Sequence, residues 1–208
     1  MTPQIPPQFL QRADESDDAL FYAVARLVTH IDAATIDRLQ RFYAETLPVG
    51  ADVLDLMSSW VSHLPVDVAY GRSAGLGMNA DELAANRQLT EWAVQDLNRE
   101  PRLPYPDASF DAVINAVSVQ YLTRPVEVFA EIARVLRPGA VSVVAMSHRC
   151  FPTKAVRAFH SLGRDERMAL VGQYHSLAGG FEDIQLLDRS PEGADPLWIV
   201  TARRTEAS

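Results

Sequence analysis

Three stretches of this chain gather side chains able to do chemistry. The first is DVLDLMSSWVSH, residues 52–63, where Asp55 sits inside an apolar run that breaks into Ser58, Ser59, Trp60 and, further on, His63. The two hydroxyls could bond a carboxylate or a water, and the indole offers a flat apolar surface with one N–H donor. The second is SHRCFPTK, residues 147–154. There His148 could serve as a general base, Arg149 or Lys154 could hold an anionic substrate, and Cys150 could be a nucleophile or merely a small buried residue. The third is Tyr22, Arg26 and His30, which recur every four residues and so would share one face of a helix, either as a wall over a ligand or as a solvated face. No grouping of His, Cys, Asp and Glu has metal-ligand spacing, and neither a phosphate-binding loop nor a GxSxG elbow occurs, so no metal is expected.

The elements that would position these residues follow from apolar periodicity. Residues 1–17, rich in proline and then acidic, read as an irregular arm. Leu20, Phe21, Val24, Leu27 and Val28 recur at helical spacing and predict an amphipathic helix over 18–31. A second helix is expected over 33–47 with Ile36, Leu39, Phe42 and Tyr43 inward. Val53, Leu54 and Leu56 predict a first buried strand, followed by a helix of at most two turns before a second strand within 68–76. Asn79 with Glu82 has the pattern of a capping box opening a helix to about residue 86. A third strand over 92–95 leaves Asp96 and Leu97 just past its end. A fourth spans 110–119, with Gln120 and Tyr121 beyond it, and a helix over 125–136 precedes a fifth strand at 141–146. Helices over 153–162 and 166–178 and two further strands, 184–187 and 197–202, complete the chain. This alternation implies an α/β fold around a mainly parallel sheet, in which ligands sit at the carboxyl ends of the strands.

Composition narrows the function. At 208 residues and 48% hydrophobic content the chain can bury a sizeable core, and a net charge of −8 disfavours nucleic acid and anionic membrane as partners. One cysteine provides no disulfide framework, and there is no secretory leader pattern and no run of about 18 apolar residues, which together lead us to expect a cytoplasmic location.

The segment LPYPDASFDAVINAVSVQYLTRPVEVFAEIARVLRPGA, residues 103–140, resembles the class I S-adenosylmethionine (SAM) dependent methyltransferases of the small-molecule type, and the likeness extends over residues 52–203. It implies a Rossmann-like three-layer sandwich whose seven-stranded sheet has an antiparallel last strand, with residues 51–208 as the methyltransferase-like domain and residues 1–50 as an arm and helices able to act as a lid. SAM is the implied cofactor, a small molecule the implied partner. Asp96 and Leu97 match the positions that meet adenine, and Asp55 matches the acid opening the first cofactor motif. Ser58 and Ser59 stand where the family has glycines, and Gly77 stands where it has an acid for the ribose, which leaves Asn79 or Asp81 to substitute. Tyr22, Gln120, Tyr121 and Arg149 are the expected substrate contacts and His148 the expected base. The missing glycines also admit a second reading, a methyltransferase-like module that has lost catalysis.

Overall fold

The computed structural model describes residues 4–206, so the first three residues of the expected arm lie outside it. Seven strands form one sheet in the order β3-β2-β1-β4-β5-β7-β6. They are β1 Asp52–Leu56, β2 Arg72–Gly77, β3 Glu91–Val94, β4 Phe110–Ala116, β5 Leu136–Met146, β6 Phe181–Asp188 and β7 Trp198–Arg204. The first five pair in parallel, while β7 runs antiparallel to both β5 and β6. The chain thus builds outward from β1 in one direction and from β4 in the other. A crevice at the carboxyl ends of β1 and β4 is the consequence.

Six helices accompany the sheet: α1 Asp18–Phe21, α2 Ala33–Thr46, α3 Ala80–Ala85, α4 Pro125–Val135, α5 Ala158–Ser161 and α6 Arg164–Ala178. Alternation within each strand sorts side chains between the two faces. Val53 joins α2's Leu39, Phe42 and Tyr43 in one core cluster, whereas Leu54 and Leu56 join α4's Val128, Phe129 and Ile132 and α6's Val171 and Tyr174 in the other. Each such aliphatic side chain stabilises the fold by about 1.5–3 kcal/mol on burial. Asp32 caps α2 by accepting the Thr35 N–H at 2.9 Å, and Asn79 caps α3 by accepting the Glu82 N–H at 3.0 Å. Among the described residues no helix is long and apolar enough to cross a membrane.

Four elements differ from the sequence reading. The helix expected over 18–31 shrinks to the single turn of α1, because the carbonyls of Phe21, Tyr22 and Ala23 accept from the Arg26 guanidinium and the Asn79 amide rather than from a following helical turn. The short helix expected after β1 does not form. In its place Ser59 and Leu64 carbonyls accept from the Asn86 and Gln88 side chains, at 2.9 and 2.6 Å, and the Ser62 N–H donates to Gln88, so the loop's backbone groups are satisfied from outside. The helix expected over 153–162 is confined to α5, since the N–H groups of Val156 and Arg157 donate to the carbonyls of Gln120 and Gln11. Finally, Arg137, Pro138 and Gly139 lie within β5 instead of breaking the chain before it.

Candidate functional site

At the crevice lies a cavity of about 120 Å³ whose lining comes from four strand ends and from the segment preceding α2. From β1 come Met57, Ser58 and Ser59; from β2, Gly77, Met78 and Asn79; from β3, Gln95, Asp96, Leu97 and Asn98; from β4, Val117, Ser118, Tyr121 and Leu122. The facing wall is Asp18, Tyr22, Arg26 and His30 with Phe151. Residues scattered through the sequence are therefore brought together by topology. Asn79, Asp96, Leu97, Ser58, Ser59, Tyr22 and Tyr121 share this one cavity, whereas Asp55, Gln120, His148 and Arg149 do not line it.

The turn after β1 holds its shape without glycine. Met57 adopts φ +60°, a left-handed conformation that costs a residue with a Cβ about 1–3 kcal/mol. The Ser58 carbonyl packs against β2, where a Cβ on Gly77 would stand 2.2 Å from it. Position 77 can therefore carry no side chain, acidic or otherwise. A carboxylate from α3 also reaches the cavity: Glu82 accepts the Ser59 hydroxyl at 2.6 Å and the Arg26 N–H at 2.7 Å. From the sequence Glu82 is only a capping partner, and its place in the first turn of the helix that follows β2 is the signal that its carboxylate lies at this edge.

Asp55 lies behind the turn, buried, and accepts the Ser58 hydroxyl. Burial in an apolar strand pushes its carboxyl up to about 7, opposed by the hydroxyls of Ser58 and Ser62. His63, buried with φ +55°, is held down at about 4 by burial and by the nearby His30. Trp60 donates its indole N–H to the Val28 carbonyl at 2.9 Å, which pins the facing wall and leaves the cavity itself clear of the indole. Asp96 accepts the Asn98 N–H at 2.9 Å through Oδ1, and Asn98 in turn donates to Asp18 and to the Tyr121 carbonyl. The Asn79 carboxamide is fully engaged: it donates to the Tyr22 and Ala23 carbonyls while capping α3.

The cluster after β5 is used differently from the sequence expectation. Gln120 is buried and donates to the Val117 and Arg149 carbonyls, so its amide closes a turn. Arg149 pairs with Asp195 at 3.0 Å, His148 lies 3.5 Å from the same carboxylate, and both side chains are more than half exposed, at 57% and 51%. Lys154 is wholly buried. Its ammonium meets Asp14 at 3.2 Å and Asp18 at 3.0 Å, and Asp18 also receives a bidentate pair of bonds from Arg12 at 2.8 and 2.7 Å. This charged knot fastens the N-terminal arm beside the cavity.

Comparison with known proteins fits this geometry. The profile of the family described as "Methyltransferase domain" matches residues 67–144. The biotin biosynthesis bifunctional protein BioHC of Teredinibacter turnerae is 34% identical over 74 residues, which cover 36% of this chain and 12% of that protein. Among solved structures, the [4+2]-cyclase SpnF superimposes with a TM-score of 0.63 at 20% identity, covering 82% of each chain. An S-adenosylmethionine dependent methyltransferase from Mesorhizobium loti does so with a TM-score of 0.55 at 16% identity, covering 81% of this chain and all of that one. These two likenesses show the Rossmann-like α/β fold. The matched methyltransferase segment contributes β2, β3, β4 and α4, and with them Asp96, Leu97, Ser118 and Tyr121. The glycine-free turn and residues 18–30 of the facing wall precede it, and Phe151 follows it.

Proposed function

We propose that this protein is a SAM-dependent methyltransferase acting on a small molecule. The observation that carries the reading is the convergence of Ser58, Ser59, Glu82, Asp96 and Leu97 from separate elements onto one cavity at the carboxyl ends of parallel strands. SAM supplies a methyl group activated on a sulfonium, and transfer to a nucleophile releases the neutral thioether. Asp96 and Leu97 are suited to adenine, a carboxylate beside an apolar side chain. Glu82 takes the ribose role that Gly77 cannot, since each of its oxygens can accept a further bond. Ser58 and Ser59 offer small polar walls where Met57 has taken up the left-handed turn. Residues 18–31 act as the lid. At about 120 Å³ the cavity is smaller than the roughly 300 Å³ at which small-molecule sites begin, so this wall swings out to admit a nucleoside.

With His148 outside the cavity, alignment of acceptor and methyl carries the rate, a contribution that proximity alone makes large. The same observation favours a second reading, a module that binds SAM without transferring its methyl group. Calorimetric titration with SAM and with S-adenosylhomocysteine tests the binding shared by both readings, and absence of heat at millimolar ligand overturns them. Asp96→Ala should weaken either ligand about tenfold, the loss of one good hydrogen bond. An unchanged affinity removes the adenine assignment. Release of S-adenosylhomocysteine on incubation with candidate acceptors separates enzyme from module.

A further inference from the structure

One polar group on the cavity wall has no use in the cofactor reading. Ser118 is 8% exposed, and its Oγ has no hydrogen-bond partner among the described residues. A buried hydroxyl left unpaired costs about 1–3 kcal/mol, and buried polar groups are rarely left so. The backbone delivering it is itself strained. Val117, β-branched, sits at φ +53°, held there by its N–H bond to the Ala145 carbonyl and by the Gln120 amide on its own carbonyl, both at 2.8 Å.

The neighbours of Ser118 are otherwise engaged. The Tyr121 hydroxyl accepts the Phe151 N–H at 2.8 Å, and the Asn98 amide donates to Asp18 and to the Tyr121 carbonyl. Three rings in mutual contact form an apolar face on the same cavity wall: Tyr121 stacks on Phe151 at 5.8 Å and 29°, and Tyr22 meets Phe151 edge-on at 6.5 Å. The cations at and near the cavity already have partners. Lys154 is held by Asp14 and Asp18, and Arg149 by Asp195, while the Arg26 guanidinium lies 4.6 Å over the Phe21 ring and donates to the Phe21 carbonyl.

We propose that Ser118 binds the methyl acceptor, and that the acceptor is an uncharged molecule presenting a hydroxyl on a flat unsaturated ring that lies against the apolar face of Tyr121, Phe151 and Tyr22. The Ser118 oxygen accepts the acceptor's O–H while the ring covers that face. This rests on the methyltransferase reading for the identity of the ligand as acceptor, but the subsite is separately measurable.

Phenol, benzoate and toluene serve as probes in ligand-observed NMR titrations of the full chain saturated with S-adenosylhomocysteine. Phenol should bind more tightly than benzoate. Ser118→Ala should weaken phenol about tenfold, leave toluene unchanged and leave S-adenosylhomocysteine affinity as in the parent protein; Ser118→Thr, which keeps the hydroxyl, should retain phenol. Absence of phenol binding to the parent protein, tighter binding of benzoate, or a phenol affinity indifferent to Ser118→Ala overturns the proposal. If phenol binding depends on Ser118 but S-adenosylhomocysteine does not bind, the subsite stands and the methyltransferase reading falls. If S-adenosylhomocysteine binds and the phenol response fails, the reverse holds.

Discussion

Residues 18–31 and helix α4 carry apolar periodicity of the same kind, yet one is turned outward and the other inward. In α4 the stripe of Val128, Phe129, Ile132 and Ala133 is buried against the sheet. In 18–31 four of the five stripe residues, Leu20, Val24, Leu27 and Val28, are 55–75% exposed and only Phe21 packs inward, on Phe151, while Tyr22, Arg26 and His30 line the cavity. Periodicity identifies a face but does not say which side is in. The second segment is held by charge and by borrowed hydrogen bonds: Lys154 and Arg12 on Asp18, Glu82 on the Arg26 N–H, Asn79 on two carbonyls. No side chain of residues 18–30 belongs to either core cluster, so movement of this wall would leave both intact.

The contrast can be broken by substitution. Lys154→Met strips the buried carboxylate of Asp18 of one of its cations, a loss of about 3–5 kcal/mol for a broken buried ion pair. Urea unfolding should show the lower midpoint, and proteolysis should cut first within 12–31. An unchanged midpoint would mean that the arm is not held by this knot. Leu39→Ala, in the well-packed α2, should cost about 2–4 kcal/mol with no preferential cutting of the arm.

A pH titration of stability probes the turn after β1, whose Trp60 holds the Val28 carbonyl of the first region. The Asp55 carboxyl, about 7 in the fold against about 3.9 unfolded, favours the folded state fully below pH 4, and this support is lost as pH rises to 7. His63, about 4 in the fold against about 6.5 unfolded, has the opposite sign: its support is full above pH 6.5 and is lost as pH falls to 4. The two offset each other over the shared window. Asp55→Asn should therefore leave a stability that falls on acidification from pH 6.5 to 4, and chemical denaturation at pH 5 and pH 7.5 will show whether that slope appears. The smallest effect is expected where the sequence pattern looked most like core. Val24→Ser should change stability by less than about 0.5 kcal/mol, because Val24 is 72% exposed. A loss comparable to that of Leu39→Ala would mean that the apolar stripe is covered in solution.

Much of the candidate site is legible in the sequence. The boundaries of apolar runs put Asp96 and Leu97 past β3 and Ser58 and Ser59 at the crevice, and the capping-box pattern with Glu82 makes Asn79 a cap. Glu82 and Ser118 are not legible as site residues. Their importance depends on what stands opposite them, the Ser59 hydroxyl and Arg26 N–H in one case and no partner in the other. His148 and Arg149 were legible as reactive types after β5, but their distance from the cavity depends on Asp195, which arrives from the loop between β6 and β7.

By itself the sequence determined the strands, the parallel order of the first five and the edge at which ligands gather, because short apolar runs broken by turn residues admit few other arrangements. Tertiary structure alone decided that DVLDLMSSWVSH keeps a glycine-like turn on Met57, that Gly77 makes room for the Ser58 carbonyl, and that the apolar stripe of 18–31 faces outward. The physical reason is that strand propensity is written locally. Positive φ, a 2.2 Å clearance and the inward side of a helix-like segment are set by groups that meet only once the chain has folded.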